Sequence, residues 1–229
     1  MAGALPQTGF IQQVQACLLP LRDAARALPM QAYMKHHFPF LGIPTPARRA
    51  ACLPLLRTLR EADADTLLTF AQALWAMPER EYQYVAIDLL AQYEKKLSLT
   101  ALPSLLALVQ EKSWWDSVDG LAGVVGDVVR RSPEAGQDLM DEALHHLNLW
   151  VRRVAMLHQL GWRASVDPQR LFRYALHLAP EKDFFIRKAI GWALRDYARH
   201  DPQAVRAFLA EYSAQLSPLS VREAGKHLA

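Results

Sequence analysis

The strongest constraint on the fold is a helical pattern that recurs at a nearly constant interval. Apolar residues return at three- and four-residue spacing along most of the chain, which is typical of helices with one buried face. Four of these segments align through a large aromatic residue, at successive intervals of 33, 35 and 35 residues. The aligned residues are Tyr82, Trp115, Trp150 and Phe185. The interval predicts an all-α fold, a HEAT-like helical-repeat solenoid with a concave face.

Composition agrees with a globular chain of this kind. The 229 residues are 52% hydrophobic and 21% charged, and we predict that residues 1–229 form a single α-helical domain. No apolar run is long enough to span a bilayer and no signal segment is recognisable, so the expected location is the cytoplasm. Cys17 and Cys52 lack metal-ligand spacing. Neither a disulfide framework nor a zinc site is predicted, and no cofactor is expected.

The formal net charge of +3 is distributed unevenly along the chain. Residues 35–60 carry five basic groups and no acid, and residues 145–199 carry ten basic and four acidic groups. Residues 61–142 are the reverse, with 15 acids and six bases. Basic segments that meet across a concave face favour a polyanionic partner, although from charge alone solvated helix faces are the simpler interpretation.

The stretch KSWWDSVD, residues 112–119, places two tryptophans and two aspartates within six positions. Ser113 and Asp116 have the spacing of a capping pair, so we predict that Ser113 is the N-cap of a helix and that Asp116 lies in its first turn. Trp114 shares a helical stripe with three aliphatic residues and is predicted to be core. These three are Val118, Leu121 and Val125.

Trp115 and Asp119 remain together on another side of the same helix, one turn apart. A tryptophan beside an unpaired carboxylate is unusual in a packed interface, because a buried carboxylate needs a partner or becomes neutral. From this helix alone, a functional pair and an exposed tryptophan with a solvated aspartate are equally good interpretations.

A second helix favours the functional interpretation. In EKDFFIRKAIGWALRDYAR, residues 181–199, steps of four, three and four trace a cationic stripe that contains a tryptophan. Its members are Lys188, Trp192, Arg195 and Arg199. Arg152 and Arg153 lie at corresponding turns of the intervening repeat. Basic groups interleaved with an aromatic ring are what nucleic-acid binding requires, so the three segments predict one cleft.

Other motifs indicate less. Gly120, Gly123 and Gly126 recur at three-residue spacing within a helix, which favours close helix packing over phosphate binding because no strand precedes them. The adjacent histidines at 36–37 and 145–146 are not spaced to share a metal on a helix. No Ser/His/Asp or Cys/His arrangement can be assigned from sequence order.

Several stretches, in chain order, match the motifs of a known family. They are AYMKHHFPFLGIPTPARR, LWAMPEREYQYVAIDLL, KSWWDSVD, LWVRRVAM, KDFFIRKAIGWALRDYA and LSPLSVREAGKHL. Together they resemble the AlkD family of bacterial alkylpurine DNA glycosylases over nearly everything beyond about residue 30. KSWWDSVD followed later by AIGW is a specific combination.

This resemblance implies a solenoid that binds duplex DNA and hydrolyses the N-glycosidic bond of N3- and N7-alkylpurines, such as 3-methyladenine and 7-methylguanine. The family's catalytic aspartate falls on Asp119, and its two active-site tryptophans fall on Trp115 and Trp192. Its motif arginine falls on Arg153, and its tyrosine near the lesion falls on Tyr33. The residues expected to hold the DNA backbone are Arg153, Lys188, Arg195 and Arg199. The resemblance also implies a monomer, and the residue patterns described above predict neither a metal nor a membrane partner.

The implied chemistry suits these residue types. An N3- or N7-alkylated purine is cationic and leaves readily, so charge develops mainly at the sugar. The carboxylate of Asp119 can stabilise an oxocarbenium-like sugar and position the attacking water. A desolvated contact between a cation and the ring of Trp115 or Trp192 contributes on the order of 2 kcal/mol. The family is understood to work without flipping the base, which implies selectivity for labile cationic lesions.

Two other functions fit a helical repeat with a basic face. One is a noncatalytic DNA-binding paralogue, against which the joint presence of Asp119, Trp115 and Trp192 argues. The other is a protein-interaction scaffold, for which a cationic stripe containing a tryptophan has no particular purpose. DNA binding that weakens steeply with salt separates the first from the second.

Overall fold

The computed structural model describes residues 7–228, and this part of the chain contains helices, turns and loops but no β-strand. Thirteen α-helices, α1–α13, lie within it, joined by short 3₁₀ turns and loops. The predicted all-α helical-repeat class is confirmed. None of the helices within residues 7–228 has both the length and the apolar character needed to cross a membrane.

The chain divides into two compact units between residues 104 and 105. Residues 7–104 contain the first five helices and the start of the sixth, Leu102–Gln110, and residues 105–228 contain the rest of the sixth and the last seven. The division therefore falls within a continuous helix. The single domain proposed from the sequence stays a prediction.

In the first unit, α1 packs against α3 and α4, and α5 packs against the same two helices. Stacked rings of Phe10 and Phe70, 4.4 Å apart, join α1 to α4. The bounds of the helices are α1 Gln7–Leu18, α2 Ala24–Tyr33, α3 Thr45–Arg57, α4 Ala64–Ala76, α5 Arg80–Gln92 and α6 Leu102–Gln110.

A buried carboxylate fixes the loop that follows α2. Glu81, in the first turn of α5, accepts backbone N–H groups from Leu41, Gly42 and Ile43 at 2.9, 2.8 and 3.0 Å. Three such bonds satisfy donors that would otherwise be buried without a partner. The loop that leads away from Tyr33 is thereby tied to α5 instead of being held by its own turns alone.

In the second unit the helices form two layers. The inner layer consists of α7, α9, α11 and α13, each packed against the next. The outer layer is α8, α10 and α12, where α8 covers α7 and α9, α10 covers α9 and α11, and α12 covers α11. The bounds are α7 Trp115–Arg130, α8 Pro133–Ala143, α9 Leu149–Leu157, α10 Pro168–Leu178, α11 Phe184–Ala198, α12 Pro202–Tyr212 and α13 Pro218–Ala224.

The repeat of about 35 residues marks the beginnings of the inner helices. Trp115, Trp150 and Phe185 lie in the first turns of α7, α9 and α11. Trp114, just before α7, packs its ring against Trp150 and Phe185 at centroid distances of 5.9 and 4.9 Å. Trp114, which was predicted to be core, therefore lies in an aromatic cluster and remains partly exposed. The aliphatic stripe of α7 is fully buried.

The predicted N-cap at Ser113 is wrong. Helix α7 begins one residue later than predicted, with Trp114 at the N-cap and Asp116 as the second helical residue. The hydroxyl of Ser113 instead donates to the carbonyl of Val109 at 2.7 Å. The last carbonyls of a helix lack partners within it, so Ser113 stabilises the end of α6 and is not the N-cap of α7.

Gly126 allows the close approach of α7 to the end of α9. A Cβ at this position would lie 2.0 Å from the carbonyl oxygen of His158, which no side chain could accommodate without movement. At Gly123 a Cβ would meet nothing within 4 Å. The interpretation of these glycines as packing contacts is confirmed for Gly126, and Gly123 faces open space.

These two glycines give a matched test of the α7–α9 contact. Gly126→Ala is expected to lower the free energy of unfolding by about 2 kcal/mol or more, since the contacting atom belongs to the backbone. Gly123→Ala is expected to raise it by roughly 0.5–1 kcal/mol, because alanine restricts the unfolded chain and favours a helix. Urea unfolding followed by circular dichroism measures both. Equal midpoints for the two variants would contradict the packing described here.

Candidate functional site

A bidentate ion pair stands at the centre of the inner layer. Asp119 lies one turn after Trp115 on α7, and its two carboxylate oxygens accept from Nε and Nη2 of Arg153 at 2.7 and 2.8 Å. The interpretation of Asp119 as an unpaired carboxylate is therefore wrong. Arg153 comes from α9, 34 residues further along the chain, and one repeat brings it alongside α7.

Arg153 links three inner helices. Its guanidinium belongs to α9, binds Asp119 on α7, and also donates through Nη1 to the backbone carbonyl of Phe185 on α11. The side chain is only 1% exposed. Its donors are thus directed at protein groups, not at solvent, where a DNA phosphate would have to meet them. This geometry differs from the direct backbone contact that was expected of Arg153.

The carboxylate of Asp119 is mostly buried but accessible, with 21% of its side chain exposed. Burial raises the pKa of Asp119, and the hydrogen bonds and charge of Arg153 oppose that rise. Asp116 adds a smaller effect in the same direction as burial. The site therefore holds a carboxylate with reduced hydration, fixed in orientation by a planar cation.

Cations surround the ring of Trp192 on α11. The charged groups of Lys188, Arg195 and Arg153 lie 5.5, 5.8 and 5.6 Å from the ring. The stripe predicted on this helix is present, and Arg153 connects it to Asp119. Arg199 continues the stripe at the end of α11, where it is exposed and borders a surface depression with Gly161, Arg163 and His200.

The acidic partner of this stripe was missed in the sequence. Glu223 on α13 lies 3.0 Å from the amine of Lys188, 2.7 Å from Arg195 and 2.9 Å from Lys226. Its spacing of three from Lys226 is a local signal for that pair alone. The other two partners lie 35 and 28 residues earlier in the chain, and only the packing of α13 on α11 brings them to Glu223.

Tyr33 occupies a different setting, in the first unit. It ends α2 with 68% of its surface exposed and borders a shallow depression with Phe40, Arg48 and Tyr84. Arg48 lies 4.8 Å from the ring of Tyr84 and pairs with Asp88 at 3.0 Å. An aromatic side chain is therefore presented at an exposed position, with a paired arginine behind it.

The fold and the site together define a helical-repeat protein whose inner layer holds an arginine-bound carboxylate among tryptophans and basic residues. The chain belongs to the family described as DNA alkylation repair enzyme, whose family model matches residues 14–228. No curated protein matches the chain.

Solved structures agree with this family. A structure described as a predicted DNA alkylation repair enzyme from Enterococcus faecalis is 37% identical, with a TM-score of 0.85 over 91% of this chain and 97% of its own. Two structures from Streptococcus mutans share the fold. AlkD2 has 19% identity and a TM-score of 0.62 over 76% of this chain and 87% of its own. A second protein, smu.31, has 18% identity and a TM-score of 0.63 over 95% of this chain and 100% of its own.

Titration can separate the effects of burial and of Arg153 on the pKa of Asp119. Arg153→Met removes the cation that opposes the effect of burial, so the pKa of Asp119 is expected to rise further than in the wild type. The measurement is a pH titration of aspartate carboxyl carbons by NMR, with the Asp119 signal assigned from its loss in Asp119→Asn. Arg152→Met is the control, because Arg152 binds Glu181 at 2.7 Å and not Asp119. An Asp119 titration that is unchanged in Arg153→Met would contradict this account.

Proposed function

We propose that the protein is a monofunctional DNA glycosylase that excises cationic N3- and N7-alkylpurines from duplex DNA and leaves an abasic site. The observation that carries this proposal is the carboxylate of Asp119, accessible yet held in one orientation by the buried guanidinium of Arg153. Membership of the DNA alkylation repair family supports DNA as the partner. The substrate class, with 3-methyladenine and 7-methylguanine as its simplest members, is what the resemblance to the AlkD family implies, and the chemistry of such a carboxylate is compatible with it.

The reaction requires stabilisation of charge at the sugar. As the bond from C1′ to the purine nitrogen breaks, its electron pair neutralises the cationic base, and positive charge develops on the deoxyribose. A water oxygen then bonds to C1′, and the proton that it loses passes to the surrounding water. The carboxylate of Asp119 stabilises the cationic sugar electrostatically and accepts a hydrogen bond from that water. No general acid is needed to protonate a base that already carries a positive charge.

Arg153 is then a positioning residue and not a ligand of the DNA backbone. Its two bonds to Asp119 fix the carboxylate plane, and its charge opposes the protonation that burial favours. Its bond to the carbonyl of Phe185 fixes the guanidinium in turn. A preorganised carboxylate does not have to reorient as the charge develops, which is the source of most electrostatic catalysis.

The tryptophans supply the walls of the site. Trp115 lies one turn from Asp119 on the same helix and can present its ring to the cationic sugar. Trp192 already has three protein cations near its ring, so its surroundings favour an anionic group such as a backbone phosphate nearby. We assign the contact with the reacting sugar chiefly to Trp115, and to Trp192 the boundary between that sugar and the backbone.

The remaining basic residues would bind the backbone. Lys188, Arg195 and Arg199 lie along one stripe of α11, and each neutralised phosphate adds affinity that falls with salt. Tyr33, exposed in the first unit, would contact the DNA near the lesion. We propose a monomer in this role.

The central test replaces Asp119 by asparagine. The wild type is expected to release 7-methylguanine and 3-methyladenine from methylated duplex DNA, and Asp119→Asn is expected to be slower by roughly a hundredfold or more at similar DNA affinity. Single-turnover base release, analysed by chromatography, measures the rate. An anisotropy assay with the same duplex measures binding.

Asp116→Asn is the matched control, since it makes the same change three residues earlier on α7 and is expected to keep near wild-type activity. Equal rates for wild type and Asp119→Asn would contradict the role of Asp119. Binding without release of any cationic alkylpurine by the wild type would support the noncatalytic alternative.

Excision without base flipping makes a separate prediction about lesion choice. If the contacts are to sugar and backbone, release should follow the positive charge of the base and not its size. An N7 adduct bulkier than methyl is then expected to be released, whereas the neutral lesions hypoxanthine and ethenoadenine are not. Single-turnover assays on matched duplexes test this, with uncatalysed depurination subtracted. Release of a neutral lesion with rejection of the bulky cationic one would indicate a base-binding pocket instead.

A further inference from the structure

A buried carboxylate outside the proposed catalytic contacts collects three cations. Glu223 has 4% of its side chain exposed and binds Lys188, Arg195 and Lys226 at 2.7–3.0 Å. We call these four residues the Glu223 cluster. Two of its cations come from α11, which carries Trp192, and the third comes from the turn that follows α13.

The Glu223 cluster keeps a net positive charge. Burial raises the pKa of Glu223, but hydrogen bonds from Lys226 and Lys188 overcome this and hold the pKa at about 2. The carboxylate is therefore ionised at working pH and neutralises one of the three cations. A single cation would satisfy a buried glutamate, so the other two are in excess of what the pairing needs.

The close approach of α13 to α11 places Glu223 beside its cations. At Gly191, next to Trp192, a Cβ would lie 2.5 Å from the Cβ of Glu223 and 2.9 Å from the carbonyl oxygen of Ser220. Only a residue without a side chain lets α13 lie this close to α11. The hydroxyl of Ser220 also donates to the carbonyl of Arg187 at 2.8 Å, which ties the two helices beside Lys188.

The cations remain accessible while Glu223 does not. Lys188 and Arg195 are partly exposed, and 47% of the side chain of Lys226 is exposed. The charged groups of Lys188 and Arg195 also lie within 6 Å of the Trp192 ring. Long basic side chains lose conformational freedom when they bind an anion, and a buried anchor that orders them beforehand reduces that cost.

We propose that Glu223 is a positioning residue that holds Lys188, Arg195 and Lys226 as a preformed site for one DNA phosphate beside Trp192. This inference rests on the proposed function, since it assigns the phosphate next to the reacting nucleotide to the Glu223 cluster. Glu223 acts through the cations and does not touch the DNA. The site recognises charge and geometry and carries no base specificity.

The sign of the effect of Glu223→Gln tests the proposal. The substitution makes the protein more positive by one charge, so charge alone would strengthen DNA binding. A positioning role predicts the opposite, with binding about tenfold weaker because fixed charge-assisted contacts are lost. The slope of log affinity against log salt is expected to become shallower by about 0.9 for one lost phosphate contact.

The probe is a duplex oligonucleotide that carries a tetrahydrofuran analogue of an abasic site, and anisotropy is measured across a salt series. Asp141→Asn is the matched control. Asp141 also binds several partners, including Arg173 and the hydroxyl of Tyr174, but it lies on α8 in the outer layer. It gives the same charge change and is expected to leave affinity and salt slope near those of the wild type.

Affinity equal to or higher than that of the wild type in Glu223→Gln would overturn the proposal. Thermal unfolding shows whether the variant is folded. If it is not, Glu223→Asp decides, because it keeps the charge and shortens the reach: weaker binding supports positioning, and unchanged binding overturns it. These measurements do not depend on base release. Failure of the wild type to release 7-methylguanine would instead count against the proposed function alone.

Discussion

The inner layer of the second unit depends on the hydrogen bonds that the Arg153 guanidinium makes to two neighbouring helices. It joins α9 to a carboxylate on α7 and to a carbonyl on α11, so three successive repeats meet at one planar group. A buried arginine is tolerated only when its charge and donors find partners, and removing one partner of such a pair is strongly destabilising. The contacts of Arg153 that stabilise the inner layer are therefore the same contacts that orient Asp119. A substitution at Arg153 changes both the stability and the geometry of the site.

The fold could be predicted because its signals are local and repeated. The apolar periodicity and the interval of about 35 residues between Trp115, Trp150 and Phe185 correspond to the starts of α7, α9 and α11. Aspartates placed before proline are a further local signal, and Asp167 and Asp201 cap helices by accepting from backbone N–H groups. The resemblance to a family added the functional interpretation, which periodicity alone does not contain.

What the sequence did not reveal depends on contacts between repeats. Asp119 seemed unpaired because its partner is 34 residues away, although opposite charges one repeat apart were a usable signal. Ser113 was misassigned because a hydroxyl between two helices can serve either end, and here the carbonyl of Val109 takes it. The pairing of Glu223 with three cations was missed because they meet only after α13 packs on α11. Helical periodicity predicts which residues share one face of a single helix. Which side chains pair between helices depends on how the helices stack.

The contact at Gly126 also limits how this chain can change in length. Gly126 lies seven positions after Asp119 along α7, so the carboxylate and the packing contact are fixed on one helix. One inserted residue between them would rotate Asp119 by about 100° relative to the contact, away from Arg153. An extra residue in the loops on either side of α8 would cause no such rotation. Natural insertions and deletions are therefore expected to collect in the outer helices and their loops, while the spacing within α7 stays constant.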